Sequence, residues 1–307
     1  MGHLLNRTVP LATIALVAAI ALGQIENTGD IVTSAFRRPD VAVSENHRRN
    51  EMPISADLTN PLLAQNQQSK QSHTPFGGKS GYELVFQDEF DGASLNESKW
   101  STQFNWGRTH NTHYMTYFAP DAFQVAAGNL QIKAEKRQVA EFNYTGGIIT
   151  TFETFALQYG YVEMKAKLPK GKGFWPAFWL LPTSKVWPPE IDIFELLGHE
   201  TNKVYLTNHW QDAESPLKHN HKAYVGADFS KDYHVFAIEW TPTELIWYID
   251  GFERYRTNQG VPQVPMYLLA ALTIGGNWPG APTDKTPFPA YMDIDYIRVF
   301  KSNVTKQ

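Results

Sequence analysis

Beyond residue 80, apolar and polar residues alternate along much of the chain with a period of two. Residues 161–168 read Tyr-Val-Glu-Met-Lys-Ala-Lys-Leu, which puts Val162, Met164, Ala166 and Leu168 on one face. That is the pattern of a half-buried strand. Residues 235–240 and 245–249 are short runs of β-formers, and Asp250-Gly251 follows the second as a two-residue hairpin turn. Residues 130–136 and 292–300 are further strand-like runs. After the first 23 residues no segment sustains a 3.6-residue apolar period, and no internal repeat is present. Many short strands separated by Gly, Pro and Asn clusters predict an all-β domain, a two-sheet sandwich or jelly roll.

The first 79 residues follow a different pattern. Arg7 precedes a largely apolar run over residues 9–22, and Ala21-Leu22-Gly23 stand before Gln24. A basic start, a short apolar run and small residues at its end are the features of a cleaved secretory signal. The run is shorter than the ~20 residues that span a bilayer as a helix, and Pro10 disfavours a stable buried one. A signal peptide is therefore expected over 1–23, and a secreted, extracellular or periplasmic, product. Residues 24–79 are rich in Asn, Gln, Ser and charge, with Phe36 and Phe76 their only aromatic residues. So little apolar surface offsets poorly the entropy of ordering, so this stretch reads as a flexible polar linker. Residues 80–307 form the expected folded domain.

The 307 residues include 42% hydrophobic and 19% charged residues and carry a formal net charge of −4. That charge is too mild to point to nucleic acid or an anionic membrane surface. No cysteine is present, which removes disulfides, thiol catalysis and thiolate-held zinc. Aromatic residues stand out: 9 Trp, 14 Tyr and 18 Phe. They either fill a β core or line a cleft and stack on sugar rings.

The chemistry concentrates in Trp187-Pro188-Pro189-Glu190-Ile191-Asp192-Ile193-Phe194-Glu195-Leu196. In a strand, Glu190 and Asp192 share a face while Ile191 and Ile193 take the other. Strict alternation would send Glu195 to the apolar side, where an unpaired carboxylate is costly. A one-residue bulge near Phe194 returns it to the face of its two neighbours, and bulges are common beside active sites. Glu190 and Glu195 are then about four strand steps apart, roughly 13 Å between backbones at ~3.3 Å per residue. Side chains leaning together would suit the carboxylate pair of a retaining glycosidase. One carboxylate attacks the anomeric carbon, the other protonates the leaving oxygen, and Asp192 between them sets their protonation. A solvent-facing acidic strand, paired with Lys or Arg on a neighbour, is the competing reading of the same spacing.

Residues 174–182, Phe-Trp-Pro-Ala-Phe-Trp-Leu-Leu-Pro, followed by Glu190-Ile191-Asp192-Ile193-Phe194-Glu195, resemble glycoside hydrolase family 16. The similarity is to the laminarinase-like branch with the longer, bulged E-x-D-x-x-E signature. It takes in Phe86-Gln87-Asp88-Glu89-Phe90, Gly275-Gly276-Asn277-Trp278-Pro279-Gly280 and Ile294-Asp295-Tyr296-Ile297-Arg298-Val299, and leaves out the first 80 residues. The resemblance implies a concanavalin-like two-sheet jelly roll with an open concave cleft. It implies Glu190 as nucleophile, Asp192 as assisting carboxylate and Glu195 as acid/base. Endo-acting hydrolysis of a β-1,3-linked glucan with retention follows from it, and no organic cofactor.

Trp175 and Trp187 match positions that line the cleft in the family, and Trp179 stands between cleft and core. His209 follows a strand expected over 204–208 and is a candidate for binding sugar hydroxyls or the acid/base. Asn105 with Trp106, and Asn277 with Trp278, pair an amide with a ring in loop-like segments, as sugar recognition requires. His110-Asn111-Thr112-His113 and His219-Asn220-His221 invite a zinc reading, which the absence of cysteine and of a supporting carboxylate pattern disfavours. The resemblance instead implies a possible structural calcium at Glu89, Gly128 and Asp295, the first two mainly through backbone oxygens. The expected partner is a polysaccharide, bound by a monomer that needs neither nucleic acid nor membrane once the signal is removed.

Three other functions compete. A non-catalytic carbohydrate-binding protein on the same fold is expected to lose a carboxylate, and all three are present. A galactan or a mixed-linkage β-1,3-1,4-glucan would change the substrate and keep the mechanism. Transglycosylation would change only the acceptor. Against the usual laminarinase pattern, Asn208-His209-Trp210 and the loop over 211–221 depart, and both are expected to border the cleft.

Overall fold

The computed structural model describes residue 78 and residues 80–110, 114–212 and 216–303. The signal expected over 1–23, the linker expected over 24–79 apart from residue 78, and residues 111–113 of the first His-rich stretch lie outside the described residues.

Among the described residues there are fifteen strands and no helix. In chain order they are β1 (Tyr82–Asp88), β2 (Thr116–Phe118), β3 (Phe123–Ala126), β4 (Asn129–Ala134), β5 (Tyr144–Thr150), β6 (Gly160–Lys167), β7 (Phe174–Pro182) and β8 (Glu190–Leu196). There follow β9 (Lys203–Trp210), β10 (Lys218–Val225), β11 (His234–Trp240), β12 (Leu245–Ile249), β13 (Phe252–Thr257), β14 (Met266–Ile274) and β15 (Ala290–Ser302). One sheet has the order β13-β12-β11-β6-β15-β4-β3, with β1 also paired to β15. The other runs β10-β9-β8-β7-β14-β5-β2. β2 pairs β5 in parallel, and the other pairings are antiparallel. The all-β, two-sheet jelly roll expected from alternation is what forms.

The period-two faces map onto the core. Val162, Met164 and Ala166 are fully buried and Leu168 nearly so, packed with Phe178, Ile191 and Leu206 of the other sheet. Asp250 and Gly251, with φ of 54° and 78°, turn β12 into β13 as the Asp-Gly pair predicts. The polar face of β6 holds one surprise. Glu163 is fully buried rather than solvated, with Arg298 Nη1 4.0 Å from it. Arg298 in turn grips both carboxylate oxygens of Glu89 at 2.7 and 2.9 Å, as buried charge requires. The histidine-rich stretch also differs from expectation: residues 218–221, expected in a loop, open strand β10.

Phe194 of β8 meets Phe236 of β11 across the core, ring centroids 4.3 Å apart. Truncating it leaves a cavity that neither sheet can close. Phe194→Ala is expected to cost about 3–5 kcal/mol, read as a shift in the urea midpoint with the slope unchanged. An unchanged midpoint would mean that the sheets collapse onto the gap.

Candidate active site

β8 lies between β7 and β9, so both of its edges are paired and its outward face is a floor of side chains. Along β9, Glu190 lies opposite His209, Asp192 opposite Thr207 and Glu195 opposite Tyr205. Two residues, Ile193 and Phe194, thus oppose the single Leu206. On the other edge the consecutive Phe178 and Trp179 pair with Phe194 and Asp192, which marks Ile193 as the inserted residue. The bulge expected near Phe194 is present. Its cause is burial: Ile193 and Phe194 are 1% and 0% exposed and both enter the main core. Burying two adjacent large apolar side chains outweighs a broken ladder, and it spares Glu195 the apolar interior.

Each glutamate receives an indole N–H. Trp187 Nε1 donates to Glu190 at 2.7 Å, and Trp175 Nε1 donates to Glu195 at 3.1 Å. His209 Nε2 lies 3.3 Å from Asp192 Oδ2. Glu190 and Asp192 stand close enough for one to donate to the other once protonated. Such a contact between carboxyl groups requires a shared proton. Burial pushes Glu190 up to about 8, with the Asp192 charge adding to it. Burial likewise brings Asp192 to about 7, its bond to Glu190 opposing the rise. Glu195 is held well above the usual carboxylate range by burial, then by the charges of Asp192 and Glu190. Three carboxyl groups this close cannot all ionise at neutral pH. The higher value on Glu190 and the lowering of Asp192 by their contact put a proton held between these two on Glu190, while burial and the neighbouring charges favour the protonated form of Glu195.

This arrangement lowers stability at high pH. A carboxyl group whose folded pKa is raised contributes stability that is fully present below the unfolded value near 4 and is lost as pH rises through the folded value. For Asp192 that loss runs up to about pH 7. Asp192→Asn is therefore expected to match wild type in Tm near pH 4 and to exceed it at pH 8. A gain of about 1–3 kcal/mol corresponds to a few degrees in a domain of this size. Calorimetry at the two pH values checks the sign, and a variant less stable at pH 8 would contradict it.

An aromatic wall flanks the carboxylates. Tyr114 stacks on Trp175, centroids 5.5 Å apart and planes at 18°. Trp278 meets Trp175 edge-on at 5.3 Å and Tyr205 at 4.7 Å. His110 bridges Tyr114 to Phe104 and Trp106, and Trp106 lies flat on Phe104 at 4.5 Å with half its surface exposed. Trp187 and His209 form the other flank, 6.2 Å apart. Around the carboxylates and the aromatic wall, the buried atoms Asn105 Oδ1, His110 Nδ1, Asp192 Oδ2 and His209 Nδ1 have no hydrogen-bond partner among the described residues. Burial also lowers the His110 imidazole to about 4, so it is neutral at working pH.

Of the sequence candidates, Trp175, Trp187, His209 and Trp278 are brought together around Glu190, Asp192 and Glu195. Trp175 is only 6% exposed and its N–H is committed to Glu195, so it orients a carboxylate more than it offers an open face. Trp179 pairs opposite Asp192 and packs on the satellite cluster of Phe104, Phe118 and Tyr267. Asn105 and Trp106 stand at the far end of the wall, and Asn277 is exposed beside Trp278. Asn208 departs from the cleft expectation. It is fully buried and donates to the carbonyls of Gln259 and Gly260. Trp210 lies against Gly260, where a Cβ would come within 2.1 Å of the ring at a φ of +62°. These unfamiliar residues therefore anchor a loop. Sequence reading missed Tyr114, whose hydroxyl is raised by burial and by the charges of Glu195, Glu190 and Asp192. It also missed Tyr205 and Thr207, although the period of two from His209 would have placed both on its face.

The calcium candidates meet on one edge of β15. β1 pairs there as far as Asp88 with Ile297, and β4 as far as Leu130 with Ile294, so Glu89 and Gly128 both come beside Asp295. The Glu89 carboxylate is held by Arg298, and that of Asp295 lies 2.8 Å from Lys165 Nζ. Among the described residues no group of three or more His, Cys, Asp or Glu side chains is placed to hold a metal ion. His219 sits opposite His209, rings 5.8 Å apart.

Comparison with known proteins gives this site a context. The family model for glycosyl hydrolases family 16 matches residues 110–298. A second model, for the β-glucan synthesis-associated protein SKN1/KRE6/Sbg1, matches residues 12–184 and stops short of β8. The endo-1,3-1,4-β-glycanase ExsH of Rhizobium meliloti is 34% identical over 70% of this chain, which spans 51% of the length of ExsH. The β-glucanase of Rhodothermus marinus is 30% identical, over 83% of this chain and 94% of its own. Among solved structures, the laminarinase catalytic domain from Thermotoga maritima is 36% identical with a TM-score of 0.65, covering 72% of this chain and 99% of that one. The chain belongs to glycosyl hydrolase family 16, in its laminarinase-like group.

Proposed function

We propose that residues 80–307 hydrolyse internal β-1,3 bonds of a glucan by double displacement, with mixed-linkage β-1,3-1,4-glucan as a second substrate. The observation that carries this reading is the bulge at Ile193–Phe194, which sets Glu190, Asp192 and Glu195 in one row on the outer face of the sheet. Glu190, in its ionised form and oriented by the Trp187 N–H, attacks the anomeric carbon. Glu195 gives its proton to the departing glycosidic oxygen and then takes one from the water that releases the product. Ala177, opposite Glu195 on β7, sets only a methyl group beside it. The aromatic wall stacks on sugar faces. Sugar hydroxyls supply the partners that Asn105, His110 and His209 otherwise lack, which removes the cost of those buried atoms. The glucan specificity rests on the relatives: ExsH acts on 1,3-1,4-β-glycans by its name, and the Thermotoga neighbour is a laminarinase.

Reducing ends released from laminarin, lichenan, agarose and carrageenan test the substrate, with Glu190→Gln as the blank. Fastest release from laminarin is expected, and release from a galactan alone would overturn the glucan assignment. A second reading, transfer of glucan to a sugar acceptor, draws on the match to a glucan-synthesis family. It predicts products longer than the starting oligosaccharide.

Two further proposals belong to this reading. The sequence over 1–23 exports the protein, which then acts as a monomer, and N-terminal sequencing and gel filtration of the secreted protein check both. A calcium ion held by main-chain oxygens of Glu89 and Gly128 with Asp295 ties β1 and β4 to β15. It would have no part in the reaction, and calcium would raise Tm where a chelator lowers it.

A further inference from the structure

Trp247 stands on β12, in the sheet opposite the carboxylates, and is fully buried. Its indole Nε1 crosses the core and donates to the main-chain carbonyl of Asp192 at 2.8 Å. Asp192 is the residue at which the ladder breaks: it pairs with Trp179 and Thr207, and pairing resumes only beyond the inserted Ile193. A bulge takes main-chain groups out of the ladder, and a buried carbonyl left without a donor is costly. The donor comes from a strand that is itself irregular, since β12 shifts register against β13 between Trp247 and Tyr248. Tyr255, 5.1 Å away, backs the indole ring. The two irregularities thus face each other, joined by one hydrogen bond.

We propose that Trp247 is a positioning residue: its N–H, reaching from the facing sheet, pins the bulge of β8 and so fixes Glu195 in phase with Glu190 and Asp192. The proposal rests on the reading of these carboxylates as the hydrolytic centre. The indole never approaches the substrate and acts only through the strand. Without its N–H, the Asp192 carbonyl must find another donor, and the short stretch from Asp192 to Glu195 shifts with it. A displacement of about 1 Å between reacting groups costs on the order of 10²-fold in rate. Binding depends on the aromatic wall and is untouched.

A matched pair of substitutions separates positioning from packing. Trp240 is buried to the same degree, and its Nε1 donates to the carbonyl of Pro262 at 3.0 Å, so its one N–H is committed away from β8. Trp247→Phe and Trp240→Phe each remove one buried indole-to-carbonyl bond. Trp247→Phe is expected to lower kcat on laminarin at least about 10-fold with KM within about twofold. Trp240→Phe is expected to keep the wild-type kcat despite a similar loss in Tm. Should Trp247→Phe not fold, 3-benzothienylalanine at position 247 keeps the ring's shape and removes only the N–H, with the same loss of kcat expected. A wild-type kcat in either 247 variant would overturn the proposal, as would equal losses of kcat at positions 247 and 240. A wild-type protein that cuts none of the polysaccharides would overturn the functional reading and this proposal with it. Active wild type with an unaffected 247 variant overturns this proposal alone.

Discussion

Glu190→Gly should lose on the order of 10⁴-fold in kcat on laminarin, because no side-chain oxygen remains to form the glycosyl–enzyme bond. In free energy that is about 5.5 kcal/mol of transition-state stabilisation. The fold should survive, since Glu190 is only half-buried and its burial raises its pKa, which marks it as a group the native state holds at a cost. Azide should restore turnover of a β-glucosyl substrate with a good leaving group, by entering the space the carboxylate vacates. It attacks from the face opposite the leaving group, so the product is the α-glycosyl azide. A β-azide, or no rescue in a folded variant, would place the nucleophile elsewhere.

Glu195→Ala should give a different loss. A sugar alkoxide is a poor leaving group without a proton, so hydrolysis of laminarin should fall by about 10²–10⁴-fold. An activated aryl β-glucoside needs little protonation, and its first step should be nearly unaffected. The glycosyl–enzyme intermediate then accumulates, and azide should capture it from the β face to give the β-glycosyl azide. The alkaline limb of kcat/KM should also move. In wild type that limb reports deprotonation of the raised Glu195, so activity falls with rising pH as the acid is lost. In Glu195→Ala, with an aryl substrate, the fall should disappear. Equal losses on polysaccharide and activated substrate would remove Glu195 from the acid/base role.

The strands were legible because alternation responds to burial. Val162, Met164, Ala166 and the run from Leu245 to Ile249 took the faces that their side chains dictate. The bulge could also be read, since the cost of burying Glu195 leaves the strand few alternatives. What alternation could not show is which polar residues of a strand face are buried as well. Glu163 looked solvent-facing, yet it is buried beside Arg298, a residue distant in sequence that also holds Glu89. Asn208 turned into the core because two loop carbonyls needed its amide. Tyr114 gave no local signal at all. Its place depends on stacking against Trp175, far along the chain, and period-two reasoning has nothing to say about residues outside strands. The same limit hid Trp247: burial was readable, but the carbonyl it serves is 55 residues away in sequence.

The central claim is that a bulged strand presents Glu190 as the nucleophile of a retaining hydrolysis. Its most direct test is to incubate the protein with a 2-deoxy-2-fluoro β-laminaribiosyl fluoride, which forms the covalent intermediate and slows its breakdown, and to map the labelled peptide by mass spectrometry. The mechanism predicts one added fluoro-disaccharide per protein, attached to Glu190 and absent in Glu190→Gln. A label on Glu195 or Asp192, or an unlabelled enzyme that releases α-anomeric products from laminarin, would contradict it.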